Sequence, residues 1–336
     1  MIKVTDLVKQ YDNHLAVDHL TFTVPKGQIL GFLGPNGAGK STTMNIITGY
    51  ISATSGSVTI NGHDIYEEPE KAKKSIGYLP EQPPVYMDMK VKEYLNFVAE
   101  LKRVPKKERV AEVEKALEKT KTKEVEHRLI KHLSKGFRQR VGIAQAIIGN
   151  PEIVILDEPT VGLDPMQIIE IRDLMKELAK EHTVILSSHI LSEISAVCDT
   201  VMIINKGKLV VSDTVENLPK HLKAKNSCKV LVKATEEKVK QALATIKQIE
   251  QVSFEEKENG FLQMVITTSS EYDVREDLFQ VFAASGVQIY EMANVSKNLE
   301  DIFLELTQEN KEKDTEDTDM FEEMEESEEE ENASNL

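Results

Sequence analysis

The stretch Gly34-Pro35-Asn36-Gly37-Ala38-Gly39-Lys40-Ser41 fits a pattern of one glycine, four residues and then Gly-Lys-Ser, which is typical of loops that hold a triphosphate. An apolar run at 28–33 before it predicts a strand, and residues 42–49 after it predict a helix that ends at a glycine. Glycines let backbone N–H groups turn toward phosphate oxygens, and a helix start adds partial positive charge. The sequence therefore predicts a phosphate-binding loop between a strand and a helix.

Two pairs of side chains have predicted roles around this loop. Lys40 can reach the β- and γ-phosphates, and the Ser41 hydroxyl can ligate Mg²⁺. Asp157 and Glu158 follow an apolar run at 153–156, which is typical of a strand buried in a parallel sheet. Asp157 is suited to hold Mg²⁺ with Ser41, directly or through water. Glu158 is suited to polarise the attacking water as the general base.

The net charge of −16 is unevenly distributed along the 336 residues. Residues 308–336 hold 14 acidic residues and two lysines, which accounts for −12 of that charge. Such a segment cannot bury a core, so we predict a disordered acidic tail. The rest of the chain carries only −4 and shows no basic stripe. These features argue against nucleic acid as a partner.

Length and residue usage indicate about two domains. Hydrophobic residues make up 40% of the chain, which is enough for a core, and no run of about 18 apolar residues predicts a membrane span. The N-terminus alternates like a strand and does not resemble a signal peptide. Cys198 and Cys228 lack metal-ligand spacing, so we expect a reducing cytoplasm and no disulfide.

The order of predicted elements is typical of an α/β fold. Antiparallel ribbons are predicted at 2–24, and hairpins at 55–62 and 201–211. Further strands are predicted at 76–79 and 183–186, and helices at 166–180 and 191–197. Helical periodicity at 91–101, 110–117 and 134–148 predicts a helical insert at about 85–150. We expect these elements to form one domain at 1–218.

A second, smaller domain is predicted at 227–307, after a linker around 218–226. Its pattern predicts strand, helix, strand, strand, helix, strand, with helices at 236–249 and 274–284 and a final helix at 299–306. That order resembles a ferredoxin-like α+β sandwich. It contains no catalytic constellation, so we expect a docking or regulatory module.

Further motifs indicate which family of phosphate-loop proteins this chain resembles. Leu133-Ser134-Lys135-Gly136-Phe137-Arg138-Gln139-Arg140 has a good N-cap serine and a glycine that permits close backbone approach. With the phosphate loop and Asp157-Glu158, it resembles the signature of the ATP-binding cassette (ABC) ATPases. Gly162-Leu163-Asp164-Pro165 resembles their D-loop, and His189 their switch histidine. Six ordered motifs carry this resemblance over about residues 1–215.

The resemblance implies a P-loop ABC ATPase domain with an antiparallel β subdomain and a helical subdomain. It implies that Tyr11 stacks on adenine with Val17 packing nearby, and that residues 34–41 with Thr42 bind ATP and Mg²⁺. Two copies would pair head to tail, so that Ser134 and Gly136 of one subunit cap the ATP of the other. His189 would contact the γ-phosphate, and Asp164 would link the two sites.

Two positions depart from the family pattern. Lys135 and Phe137 replace Gly and Gln of the usual Leu-Ser-Gly-Gly-Gln signature. Because Ser134 and Gly136 remain, we expect ATP capping to survive. The family's Q-loop glutamine follows a Leu-Pro pair, whereas here Glu81 follows it and Gln82 comes one place later. Either residue could take the Q-loop role, and Glu81 could reach Mg²⁺ through its carboxylate.

The signature stretch at 133–140, Tyr78-Leu79-Pro80-Glu81 and the ending at 299–306 also resemble those of ABC-2 type exporter ATPases, such as the gliding-motility and the sodium or drug efflux ATP-binding subunits. In that group the ATPase is a separate chain that drives a membrane permease. That resemblance implies a peripheral protein on the cytoplasmic face of the cell membrane, with a permease groove in the helical insert near Glu81 and Gln82. One alternative is a soluble ABC ATPase acting on nucleic acid or translation. Another is a regulatory module that binds ATP without hydrolysis, which the presence of both Glu158 and His189 opposes.

Overall fold

The computed structural model describes residues 1–218, 227–257, 260–268 and 273–295. The chain divides into two compact units, Met1–Val215 and Glu216–Leu336. Most of the predicted linker, the helix predicted at 299–306 and the acidic tail at 308–336 lie outside the described residues. Among the described residues, no helix has both the length and the apolar character needed to cross a membrane.

The first unit contains the strands and helices of an α/β domain. Its strands are β1 (Ile2–Tyr11), β2 (His14–Val24), β3 (Ile29–Leu33), β4 (Ser55–Ile60), β5 (His63–Asp64), β6 (Ile76–Leu79), β7 (Ile153–Asp157), β8 (Thr183–Ser188), β9 (Thr200–Asn205) and β10 (Lys208–Thr214). Its helices are α1 (Lys40–Ile47), α2 (Pro69–Lys74), α3 (Val91–Leu101), α4 (Arg109–Lys119), α5 (Lys135–Ile147), α6 (Pro165–Ala179) and α7 (Leu191–Ser195).

Two sheets enclose the main core of this unit. Strands β2-β1-β4-β5 form an antiparallel sheet, and β10-β9-β3-β8-β7-β6 form a second sheet. A single buried cluster contains Val4 and Ile60 of the first sheet, Phe32 and Ile155 of the second, and Met44 of α1. The apolar alternation of β1, β2 and β4 therefore marks the face that packs against the phosphate-loop strand.

The strand order of the six-stranded sheet determines which loops lie next to one another. Strands β9, β3, β8, β7 and β6 run parallel, and β10 pairs antiparallel at one edge. The phosphate-loop strand β3 lies beside β8, and β8 lies beside β7. Parallel strands end at the same edge of a sheet, and ligands bind there. The loops after β3, β7 and β8 therefore converge on one side.

The helical insert agrees with the sequence expectation at α3, α4 and α5. Ser134 caps α5, because its hydroxyl accepts a hydrogen bond from the backbone N–H of Phe137 at 3.3 Å. The short helix α2 was not predicted. It buries only Ala72, so its sequence carries almost no apolar periodicity, although Pro69 occupies its first turn as prolines often do.

The second unit has β11 (Ser227–Lys233), α8 (Glu236–Leu243), β12 (Ile249–Lys257), β13 (Phe261–Thr268), α9 (Arg275–Ala284) and β14 (Gln288–Val295). Its antiparallel sheet has the order β12-β13-β11-β14, which is the ferredoxin-like arrangement of a βαββαβ unit. The prediction that its first helix extends to Ile249 is wrong. Ile249 instead pairs with Thr268 as the first residue of β12, because strand pairing overrides local helical propensity.

Candidate functional site

Glycine is required at two positions of the loop between β3 and α1. Gly39, the residue before α1, has a φ of +100°, and a Cβ there would lie 2.4 Å from the carbonyl oxygen of Ala16. A Cβ on Gly34 would lie 2.4 Å from the carbonyl oxygen of Ile204. Neither contact is tolerable for backbone atoms, so the loop passes too close to its neighbours for any side chain at these positions.

The Lys40 side chain folds back over the loop. Its Nζ donates to the carbonyl oxygens of Gly34 at 2.8 Å and Pro35 at 3.2 Å. It also lies 3.5 Å from Oε1 of Glu158. The ammonium group is almost completely buried, so the loop and Glu158 together compensate its charge.

Asp157 and Ser41 meet across the sheet edge. The Ser41 hydroxyl donates to Oδ1 of Asp157 at 3.3 Å. Ser187, opposite Asp157 on β8, donates to the same oxygen. The predicted pair of Mg²⁺ ligands is therefore brought together by the end of β7 and the start of α1.

Glu158 is buried and conformationally unusual. Its φ is +46°, in the left-handed region that residues other than glycine rarely adopt. Its Oε2 lies 3.0 Å from Nδ1 of His189, and its Oε1 faces Lys40. The carboxylate therefore lies between the Lys40 ammonium group and the imidazole of His189.

A cleft of about 460 Å³ lies beside these groups, within the size range of small-molecule sites. Its lining brings together residues of the phosphate loop, both catalytic candidates and the predicted adenine side: Tyr11, His14, Ala16, Asn36, Gly37, Gly39, Lys40, Ser41, Thr42, Glu81, Glu158, Val161 and His189. Glu81 lines the cleft and Gln82 does not. Val17 does not line the cleft and belongs to the buried core, with no exposed surface.

Three predicted site residues lie together elsewhere on the first unit. Ser134, Gly136 and Asp164 do not line this cleft. A Cβ on Gly136 would contact the side chain of Gln167 in the first turn of α6. Asp164 caps α6, because its carboxylate accepts a hydrogen bond from the backbone N–H of the same Gln167 at 2.9 Å. The Lys135 ammonium lies over Gly162. The signature and D-loop segments therefore form a second surface of the same unit.

Tyr78 ties the edge strand β6 to the loop helix. Its hydroxyl donates to Oδ1 of Asn45 at 3.0 Å, and its carbonyl accepts from Nε2 of Gln145 at 2.7 Å. Burial, and to a smaller extent the charge of Asp157, raise the pKa of Tyr78 well above its ordinary value. The hydroxyl therefore stays protonated and serves as a fixed donor.

The structure adds polar groups that sequence reasoning missed. His14 pairs with Tyr11 at the β1–β2 turn and lines the cleft. Buried Glu193 accepts hydrogen bonds from Thr160 and Ser188, which connects the segment after Glu158 to the residue before His189. Adjacent serines that end the apolar strand β8 were the available sequence signal for this network.

Comparisons with known proteins agree with this geometry. A family model described as "ABC transporter" matches residues 17–161. The bacitracin transport ATP-binding protein BcrA of Bacillus licheniformis is 36% identical over 91% of this chain and 97% of its own length. The linearmycin resistance ATP-binding protein LnrL of Bacillus subtilis is 30% identical over 91% of this chain and 98% of its own.

Solved structures give the same result for the fold. A structure described as the ATP binding subunit of an ABC transporter superposes with a TM-score of 0.60 and 30% sequence identity. It covers 66% of this chain and 92% of its own. Fold, motif geometry and near full-length relatives lead to one conclusion. The chain belongs to the ATP-binding subunits of ABC transporters and is an ATPase coupled to transport.

Proposed function

We propose that this chain binds ATP with Mg²⁺ in the cleft beside α1, hydrolyses it in a head-to-tail dimer, and powers ABC-2 type export through a separate membrane permease. The observation that carries the proposal is the convergence of Lys40, Ser41, Asp157 and Glu158. The loops after β3 and β7 deliver these four side chains to one edge of the sheet. Phosphoryl transfer to water needs these groups together.

The residues at this edge fit Mg²⁺. No group of three or more His, Cys, Asp and Glu side chains suited to a metal occurs in the described part of the chain. Mg²⁺ does not need one, because it usually takes one or two protein oxygens, water and the phosphates of its substrate. Ser41 and Asp157 would hold it, and Glu81, which also lines the cleft, would reach it through its carboxylate. When bound, it would neutralise charge on the β- and γ-phosphates.

Glu158 is the proposed general base. Lys40, on binding the phosphates, would exchange its contact with Oε1 for phosphate oxygens and leave Oε1 for the attacking water. His189 keeps the other oxygen in place. With Nδ1 of His189 at Glu158, its Nε2 would contact the γ-phosphate. Tyr11 would stack on the adenine ring at the far side of the cleft.

The dimer proposal is supported by the separation of two surfaces. Ser134 and Asp164 are exposed, Gly136 is buried in the first turn of α5, and none of the three lines the cleft. The N-terminus of α5 is a site that favours anions, and Ser134 caps it. A second copy placed head to tail would bring this helix start to the ATP of the first, and Asp164 would connect the two sites.

The permease is proposed to dock on the helical insert, at the cytoplasmic face of the membrane. Tyr86 follows Glu81 closely and is 55% exposed, although it packs edge-on against Tyr94 and Phe97. Of these three rings only Tyr86 is exposed, and an exposed aromatic ring held in place by its neighbours suits an interaction surface, where aromatic residues are enriched. Nucleotide binding at Glu81 and permease contact at Tyr86 would thereby be neighbouring events.

The test is recovery of partners from detergent-solubilised native membranes with the tagged full chain. We expect a polytopic membrane protein and ATP hydrolysis by the recovered complex. Tyr86→Arg should abolish recovery, whereas Tyr50→Arg, at a 79% exposed tyrosine after α1, should not. Recovery of ribosomes or DNA in place of a membrane protein would favour a soluble ABC ATPase. A complex that binds ATP without turnover would favour a regulatory module.

A further inference from the structure

A serine lies at the centre of the site without contacting the cleft. Ser187 has no exposed surface, sits next to the end of β8, and is the direct cross-strand partner of Asp157. It is absent from the residues that line the cleft. A buried hydroxyl is unfavourable unless its hydrogen-bonding capacity is used.

That hydroxyl is used in both directions. As a donor it bonds Oδ1 of Asp157. As an acceptor it receives the backbone N–H of Glu158 at 3.0 Å. One side chain therefore connects the proposed Mg²⁺ ligand to the backbone of the proposed general base.

The hydrogen bond that Ser187 accepts comes from Glu158, whose backbone conformation is unusual. Glu158 has a φ of +46°, which a residue with a Cβ adopts only when its surroundings impose it. This turn directs the Glu158 carboxylate to the space between Lys40 and His189. Fixing the N–H of Glu158 is thus a means of fixing where the carboxylate lies.

We propose that Ser187 is a positioning residue for ATP hydrolysis, which holds Asp157 and Glu158 in their working geometry through a single hydroxyl. The proposal rests on the roles of Asp157 and Glu158 given above. Neither of the two hydrogen bonds of Ser187 described above involves the phosphate loop or Lys40. Loss of the hydroxyl therefore lowers the turnover number and leaves ATP binding intact.

The experiment compares three variants of the full chain with the wild type. Ser187→Ala removes the hydroxyl, and Ser187→Thr keeps it. Thr183→Val is the matched control, because it removes a buried hydroxyl at the opposite end of the same strand, where Thr183 accepts from the N–H of Gly27. Turnover, ATP affinity by calorimetry and thermal unfolding are measured for each.

Ser187→Ala should lower kcat by at least about tenfold, as misplacement of a catalytic group does, with the Kd for ATP within about twofold of wild type. Ser187→Thr should restore most of the turnover, and Thr183→Val should keep it. Unchanged kcat in Ser187→Ala overturns the proposal. So does a parallel loss of turnover, affinity and thermal stability, which would indicate a purely structural role.

Glu158→Gln, measured alongside, separates this inference from the function on which it rests. If Glu158→Gln is inactive and Ser187→Ala is as active as wild type, only the role of Ser187 fails. If Glu158→Gln hydrolyses ATP at the wild-type rate, the general-base assignment fails, and the role of Ser187 as its positioning residue fails with it.

Discussion

The ammonium of Lys40 and the carboxylate of Glu158 form a buried ion pair, with 3.5 Å between Nζ and Oε1 and side chains that are 5% and 8% exposed. The phosphate-binding cation and the proposed base are therefore direct neighbours. Removing one member of a buried pair leaves an uncompensated charge and costs about 3–5 kcal/mol. A substitution at either residue should therefore change both the free energy of unfolding and the reaction with ATP.

Lys40→Met should weaken ATP binding by at least about tenfold, because charge-assisted hydrogen bonds to phosphate are lost. It should also lower the free energy of unfolding, because Glu158 loses its partner. Adding Glu158→Gln should recover much of that stability without restoring ATP binding. Lys26→Met breaks an exposed ion pair with Glu152 and should change neither quantity. Wild-type ATP affinity in Lys40→Met would contradict the assignment.

The phosphate loop offers a matched pair of glycines. Gly37 has a φ of +82° with open space at its Cβ position, whereas Gly39 has a φ of +100° and a Cβ position 2.4 Å from the Ala16 carbonyl oxygen. Gly37→Ala should cost about 1 kcal/mol of stability from its backbone conformation. Gly39→Ala should cost more in denaturant unfolding and should lose ATP binding. Equal effects of the two substitutions would show that the Ala16 contact is unimportant.

The sequence sufficed to predict the elements around the phosphate loop, because their signals are local. Apolar runs marked β3 and β7, glycines marked the loop, and Ser134 marked the start of α5. What joins Asp157 to Ser187 is the register between β7 and β8, and pairing between strands distant in sequence is not encoded locally. For the same reason the local pattern predicts a helix at Ile249, although this residue belongs to β12.

His182 should make the protein less stable in mild acid. It is buried and donates Nδ1–H to the carbonyl oxygen of Pro151 at 2.6 Å. Burial, with a smaller contribution from Lys119, lowers its pKa despite the opposing effects of Pro151 and Glu181. The folded protein therefore keeps His182 neutral at a pH where the unfolded chain already binds a proton.

By linkage, the contribution of His182 is fully present above the unfolded-state pKa of about 6.5 and is lost as pH falls toward the lower folded-state value. Denaturant unfolding at about pH 7.5 and pH 5.5 measures this loss. His182→Gln keeps a donor for Pro151 and cannot titrate, so its free energy of unfolding should fall less over that interval. An equal fall in both proteins would contradict the prediction.

Mixing two inactive variants tests the head-to-tail arrangement. Lys40→Met disables the phosphate loop, and Ser134→Ala disables the proposed cap. In a mixed dimer, one site combines an intact loop with an intact cap, so ATPase activity should reappear on mixing. The double variant mixed with wild type should form heterodimers with no intact site. Absence of any recovery in the first mixture would indicate that loop and cap act within one chain.

The central claim is that turnover depends on Glu158 in a closed dimer, and Glu158→Gln tests it most directly. We expect this variant to bind ATP, to lose at least about a hundredfold in turnover through loss of the base, and to accumulate as an ATP-dependent dimer in light scattering. Lys40→Met, which should bind ATP at least about tenfold more weakly, should stay monomeric at an ATP concentration that saturates Glu158→Gln but not this variant. A Glu158→Gln chain that hydrolyses ATP at the wild-type rate, or that stays monomeric with ATP bound, would contradict the account.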